Sequence, residues 1–489
     1  MPVTLYTIPP SILTPGVYTE IDNSQAVQGT PGQPHVALLI GMRRTTGTIA
    51  AGVVTPITSA PQGGEYFGRG SMLAQMINWW KAANPNTEVY ALALDEDAAG
   101  VKATATVTVT GTATEDGTLA LVWGGRRRTV GVITGDVFGV VAAAISAADA
   151  ADGDSPTTST VALGVVTPSA RHKGAYGNDL SIVKNYYVGE KVPAGLTVTV
   201  TAFAGGATDP NMANAIAALG GDTQYHTVVT GVNGDANMDL LDTEMASRWS
   251  ALRAIEGIVF ASFRGNYAAS QTYGNDRNSP FATVLAPGLS PSPPWTWAAT
   301  YAAVCALSSA IDPAVPLQYS ALPNLLAPLE ANRFIRSERD LLLKDGLATV
   351  LINGAGEISI ERARMTYQVS AQNVEDPSYR DLETLRTLSY LRYSYRVRMA
   401  LKFGKAKIAD DNTQFDPGQL VATPLVVRAA ILELYREWER AALVENAAKF
   451  REQLIVQRDP NNTGRMLVFH PPDIVNQLRI IGTNMAFIL

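Results

Sequence analysis

The chain has 489 residues, more than one hydrophobic core usually supports, and typical domain sizes point to roughly three domains. With 46% hydrophobic and 17% charged residues it is excluded from the disordered class, and a net charge of −6 excludes a generic nucleic-acid binder, which would carry a strongly basic domain. The single cysteine, Cys305, excludes an internal disulfide framework and a cysteine-rich zinc site, and it fits folding in a reducing cytosol.

The chain starts Met1-Pro2-Val3-Thr4, without the basic stretch and apolar run of a secretory signal, so export directed from this end is not expected. Pro2, Pro9, Pro10, Pro15, Pro31 and Pro34 block a regular helix and favour extended backbone, which marks an arm. Within it, Val17, Thr19 and Ile21 alternate with Tyr18, Glu20 and Asp22, the period of a short strand. About 20 extended residues span roughly 60 to 70 Å, enough to cross onto a neighbouring molecule.

Next come an expected strand, His35 to Gly41, a Gly-rich turn, a helix from Ser71 to Ala83 and a strand from Glu88 to Leu94. Lys102 to Val132 is rich in Thr and Val with a turn at Gly124-Gly125, as in small antiparallel strands. A helix from Val137 to Ala151 and a strand near Thr160 to Thr167 complete an inserted, surface-facing domain.

From Asp179 to about Asn353 strands alternate with helices. The strands are Leu196 to Ala204, Thr227 to Gly231, Gly257 to Phe263, Phe281 to Ala286 and Leu347 to Ile352. The helices are Pro210 to Leu219, Met238 to Ile255, Trp295 to Ile311 and Ser337 to Lys344. This alternation predicts a mostly parallel sheet covered by helices. The 295–311 segment is apolar, but it has about the minimum spanning length and carries Thr296, Thr300, Ser308 and Ser309, so a buried core helix is expected rather than a membrane span.

Two long helices follow. Leu382, Leu385, Leu388 and Leu391 share a face of the first, with Ser378 and Asp381 as a capping box. In the second, Thr423 caps, Pro424 sits at the first position, and Leu425, Ala429, Leu432, Tyr435, Trp438 and Ala442 form the apolar stripe. Phe450 to Arg458 and Arg465 to His470 read as a hairpin about Asp459-Pro460-Asn461-Asn462. Leu478 to Leu489 is apolar and strand-like, with no charge after Arg479.

Catalytic signals are missing. The four histidines, His35, His172, His226 and His470, are scattered without the three- or four-residue spacing of helical metal sites, so no metal and no cofactor is expected. There is no G-x-S-x-G elbow and no G-x-G-x-x-G after a strand. Gly63 to Gly68 has the separation of a phosphate loop but lacks its lysine, and a turn into the Ser71 helix explains the glycines.

Two features fit assembly better. One is the pair of ends, whose unpartnered strands could add to a neighbour's sheet edge. The expected intersubunit residues are Val17, Tyr18, Thr19, Glu20 and Ile21 at the start, and Leu467, Val468, Phe469, Leu478 and Ile480 at the end. The other is a basic run, Arg392, Arg396, Arg398, Lys402, Lys405 and Lys407, which is either a solvated helix face or a strip complementary to an acidic partner.

Several ordered segments resemble the contractile tail sheath proteins of bacteriophages, those of Mu-like phages in particular. They are Pro15-Gly16-Val17-Tyr18-Thr19-Glu20, Phe67-Gly68-Arg69-Gly70-Ser71-Met72-Leu73, Ala170-Arg171-His172-Lys173-Gly174-Ala175-Tyr176-Gly177-Asn178-Asp179-Leu180, Pro293-Pro294-Trp295, the stretch 332–350 and the stretch 379–411. Lys173 and Tyr176 stand where many sheaths have proline and tryptophan.

The resemblance implies an α/β multidomain chain whose central α/β sheet core is subtilisin-like in topology without protease activity. A small β-rich domain is inserted in the core, an α+β C-terminal domain follows, and extended N- and C-terminal arms flank the whole. The boundaries are 1–30 for the N-terminal arm, 31–100 and 169–353 for the core, 101–168 for the insert, 354–470 for the C-terminal domain and 471–489 for the C-terminal arm. The resemblance also implies a homo-oligomer of stacked hexameric rings in a helical tube around a tail tube protein, with baseplate and tail terminator proteins as partners. Neither direct nucleic-acid contact nor membrane insertion is expected. The place is the virion tail, assembled in the host cytoplasm, and the basic strip would face the tube. The rival readings are an α/β hydrolase with an unrecognised site and the sheath of a phage-derived contractile injection device.

Overall fold

The computed structural model describes residues 33–416 and 418–488, together with positions 11, 14, 16 and 19. The arm residues Val17, Tyr18, Glu20 and Ile21 lie outside the described residues, and Thr19 is exposed. The chain divides into two units, one of residues 34–390, 438–447 and 472–489, the other of 1–33, 391–437 and 448–471.

In the larger unit, Val36–Met42 is apolar at almost every position and buried from Ala37 onward, as a strand covered on both faces must be. It lies inside a six-stranded sheet ordered Ala282–Leu285, Ile258–Ser262, Thr227–Thr230, Val36–Met42, Glu88–Leu94, Val54–Ile57. The first five strands run parallel, in the register Leu38 to Val228 and Leu38 to Tyr90, and Val54–Ile57 closes one edge antiparallel. The fold is thus mixed α/β with several sheets.

The expected turn before the Ser71 helix is partly helical. Pro61–Phe67 forms a short helix, and the turn is made by Gly68 and Gly70 at φ 84° and 75°. Ser71 then caps Met72–Ala83, its Oγ accepting from the Ala74 amide at 3.1 Å.

The strand order reverses between Val36–Met42 and Thr227–Thr230, the place where open α/β sheets commonly hold ligands. Here the helix Met72–Ala83 fills it: a Cβ added to Gly231 would lie 2.4 Å from the Met72 sulfur, and one on Gly41 2.9 Å from the Met76 sulfur. Gly231→Ala is therefore expected to destabilise the subunit by about 1–3 kcal/mol through overpacking. Urea unfolding checks this; an unchanged midpoint would mean that Met72 can step aside.

The helix Pro294–Ile311 is a core helix, with Trp297, Tyr301 and Cys305 fully buried. Its polar groups are satisfied inside: Trp295 Nε1 donates to Gln75 Oε1 at 2.7 Å and Trp297 Nε1 to Ser290 Oγ at 2.9 Å. Among the described residues no helix is long and apolar enough to cross a membrane.

A second apolar cluster gathers Val107, Leu119, Trp123, Val141, Ile145, Val166 and Val198 between a four-stranded and a three-stranded sheet. Two sequence expectations change here. Thr157–Ala162 and Val165–Ala170 are separate antiparallel strands where one was expected, joined by a turn with Leu163 and Gly164 at positive φ. Leu196–Val200 does not join the parallel sheet but pairs antiparallel with Val107–Gly111. Alternation marks a strand and leaves its partner open.

Leu382–Phe403 is the leucine helix, and its first nine residues belong to the larger unit. Leu382, Leu385 and Leu391 are buried. The capping box is not formed by Asp381, whose carboxylate is taken by Arg362 at 2.7 and 2.8 Å. In the helix Pro424–Arg440 the buried face is Val427, Ala430, Ile431, Leu434, Tyr435 and Trp438. The expected stripe is therefore rotated: Leu425 is 62% exposed, and Ala429 and Ala442 face solvent. Tyr435 and Trp438 satisfy either face, and packing chose the one richer in β-branched and leucine side chains.

In the smaller unit Tyr435 stacks on Phe450 at 3.8 Å, and His470 meets Phe450 at 5.0 Å and Tyr395 at 5.3 Å. Phe450 lies on a helix, Ala447–Gln453, so the hairpin strand begins only at Ile455.

Candidate assembly surfaces

The C-terminal segment is fixed at its root and bare beyond it. Val444–Glu445 pairs antiparallel with Asp473–Ile474, and the Val475 amide donates to the Leu443 carbonyl at 3.2 Å. Gln318 Nε2 then donates to the Leu478 carbonyl at 3.1 Å. Arg479 turns into the body, with a guanidinium nitrogen 2.9 Å from Glu383 and 3.7 Å from Asp381. Glu383 is 1% exposed and also accepts from the Leu317 amide at 2.9 Å. Burial alone would raise the Asp381 carboxyl, but Arg362, Arg479 and Arg380 hold it below the usual carboxylate range.

Past Arg479 nothing covers the chain among the described residues. Ile480, Ile481, Met485, Phe487 and Ile488 are 77–100% exposed, and Leu478 is 64% exposed. Residues 478–488, expected as a strand, form none here, because an isolated strand has no ladder to complete it. Of the other C-terminal candidates, Leu467, Val468 and Phe469 lie on Met466–Phe469, paired antiparallel with Ile455–Arg458, and Phe469 is 59% exposed.

The basic run does not form one uniform face. Arg398 is 5% exposed and bonds Glu437 Oε2 at 2.5 Å, so it acts inside its own unit. Lys402 pairs with Glu433, and Lys407 donates to Gln419 Oε1 at 2.8 Å. Arg392 is half-buried, while Arg396, Lys402, Lys405 and Lys407 are exposed.

The phage tail sheath protein central domain matches residues 205–366, and the phage tail sheath C-terminal domain matches residues 374–488. Over the full length of both chains, the protein is 38% identical to the Mu-like prophage FluMu tail sheath protein of Haemophilus influenzae. The chain belongs to the Mu-like phage tail sheath family. It is a structural subunit of a contractile tail sheath and not an enzyme, so the hydrolase reading falls away.

Among solved structures, a chain of the anti-feeding prophage baseplate in contracted state is similar with a TM-score of 0.50 and 13% identity, over 97% of this chain and 99% of that one. That likeness concerns the fold. The sheath tail protein from Desulfitobacterium hafniense matches with a TM-score of 0.47 and 12% identity, over 94% of this chain and 100% of that one.

The histidines of this sheath subunit sit in packing roles. His172 Nε2 accepts from the Met72 amide at 3.2 Å, which leaves Nδ1 to donate to Glu96 at 3.2 Å. His35 and His226, 191 positions apart in the chain, meet at 5.0 Å where the central strands begin. The Val36 amide donates to His226 Nδ1 at 3.2 Å. Burial, then the neighbouring His35 and Arg386 charges, push His226 down to about 2, and burial with Arg386 pushes His35 to about 3. Sequence reasoning missed this pair, Arg386 and the Arg479 root. The one available signal was that Arg479 is the last charge in the chain.

Proposed function

We propose that this sheath subunit polymerises into stacked hexameric rings around a rigid tail tube, and that the lattice shortens and widens to drive the tube through the host cell envelope. The observation that carries this is the uncharged, exposed end from Ile480 to Ile488, anchored at Arg479. Exposed apolar backbone without a partner is matched to the edge of a sheet in another copy. In this reading Leu478 and Ile480, with Val17, Tyr18, Thr19, Glu20 and Ile21 of the N-terminal arm, add strands beside Leu467, Val468 and Phe469 of a neighbouring subunit. A head-to-tail contact that does not close gives a helical tube, and contraction follows if the extended lattice is metastable. No nucleotide is required, because the energy is stored at assembly.

Residues 31–100 and 169–353 are assigned to a core of subtilisin-like topology, except for Leu196–Val200, which pairs with a strand of the outward insert, 101–168; 354–470 is assigned to the C-terminal domain, and 1–30 and 471–489 to the arms. The tail tube, baseplate and tail terminator proteins are the other partners, with assembly in the host cytoplasm and residence in the virion tail. Self-assembly follows from membership of the sheath family. The tube contact is assigned to the exposed cations Arg396, Lys402, Lys405 and Lys407, with Arg392 at their margin and Arg398 excluded by its internal pair.

Lys405→Glu combined with Lys407→Glu tests this with the least damage to the fold, since reversing Lys402 would also break its pair with Glu433. Electron microscopy of the variant mixed with tubes should show mostly bare tubes. Normal decoration would leave these lysines as a solvated face.

A further inference from the structure

The two segments that lead toward the chain ends are fixed on the same turn of one helix. On the C-terminal side, Arg479 sits 2.9 Å from Glu383. On the N-terminal side, the chain enters its first strand at Val36, whose amide donates to His226 Nδ1 at 3.2 Å and whose carbonyl accepts from the His226 amide at 2.9 Å. His226 is held in turn by Arg386, which donates to the His226 carbonyl at 2.7 Å and to Thr227 Oγ1 at 2.7 Å. Glu383 and Arg386 are three residues apart on Leu382–Phe403, hence on neighbouring positions of one face. Both charges reach the Cys305 thiol: burial pushes it up, Glu383 adds to that and Arg386 opposes it.

Glu383 is 1% exposed, and a buried charge without an opposite charge against it is costly. If Arg479 leaves, two cations remain near Glu383: Arg362, whose guanidinium is already held by both Asp381 oxygens at 2.7 and 2.8 Å, and Arg386, three residues along the helix. To reach Glu383, Arg386 must withdraw from the His226 carbonyl and Thr227. We propose that Glu383 is a two-position socket: filled by Arg479, it lets Arg386 clamp the start of the first strand, and emptied, it draws Arg386 away and loosens that strand. Tension that pulls Arg479 out of the C-terminal root is thereby transmitted to the N-terminal root through Glu383 and Arg386.

Hydrogen exchange on the full-length subunit, kept unassembled at low concentration, tests the socket independently of sheath assembly. Arg479→Gln should speed exchange about tenfold in residues 473–479 and also in 34–40 and 225–229, while 258–262 and 294–311 stay protected. Glu383→Gln should loosen 473–479 only, because a neutral amide does not draw Arg386. The double variant Arg479→Gln with Glu383→Gln should restore protection at 34–40. An Arg479→Gln effect confined to the tail overturns the proposal, as does a double variant still loose at 34–40. If Arg479→Gln does not fold, Arg479→Lys poses the same question at smaller amplitude, and confinement of its effect to 473–479 overturns the proposal equally.

Discussion

Truncation after Arg479 should abolish sheath tubes and leave the unfolding midpoint of the isolated subunit where it was. The residues removed give the subunit almost nothing, since Ile480, Ile481, Met485, Phe487 and Ile488 keep at least 77% of their surface in water. Buried in a neighbouring copy, five such side chains would contribute on the order of 10 kcal/mol per link, before the cost of ordering the segment. Stopping at Arg479 matters, because losing it strands the buried Glu383 and confuses assembly with folding. Thermal unfolding together with electron microscopy checks both halves. Tubes of normal length from the truncated chain would rule out the C-terminal segment as the link.

Acidification from pH 7 to pH 4 should cost the isolated subunit roughly 3 kcal/mol through His226 alone, from 1.36 kcal/mol for each unit between the usual histidine value near 6.5 and pH 4. The folded imidazole is held down to about 2. Between these values the unfolded chain binds a proton that the folded chain refuses, so stability falls as pH falls. The refusal is local. Nδ1 is occupied by the Val36 amide, the neighbours that matter are Arg386 and His35, and both disfavour a second cation. The half-buried His35, held to about 3, steepens the same slope. His172, also lowered by burial but opposed by Glu96, is the competing source. Urea unfolding at pH 7, 5.5 and 4 should give a flatter pH slope for His226→Gln than for His172→Gln. Equal slopes for His226→Gln and the native chain would move the effect elsewhere. At lower pH the Asp381 carboxyl adds a loss of the same sign: its folded value is depressed, so its share is lost only as pH falls below the usual carboxylate range.

How far the fold was legible depended on how local its cause was. The continuous apolar run in Val36–Met42 announced a strand buried on both faces, and Ser71 announced the cap of its helix. The burial of Pro294–Ile311 followed from its length and its Thr and Ser residues. The stripe of Pro424–Arg440 was rotated because an α-helix rich in apolar residues offers more than one face, and which of them is buried is a tertiary choice. The partner of Leu196–Val200 was misread for the same reason: strand pairing is a long-range choice.

The C-terminal end shows the division most clearly. Its apolar composition and its missing charge after Arg479 are properties of the chain, and they mark it as an odd segment to leave in water. The order of the motifs along the chain likewise sufficed for the sheath family. That Arg479 turns inward, that Glu383 is buried beneath it, and that His35, His226 and Arg386 meet at the start of the first strand were decided only when strands and helices far apart in the chain were packed together. Desolvation gives these charges their consequence, and it exists only in the folded core.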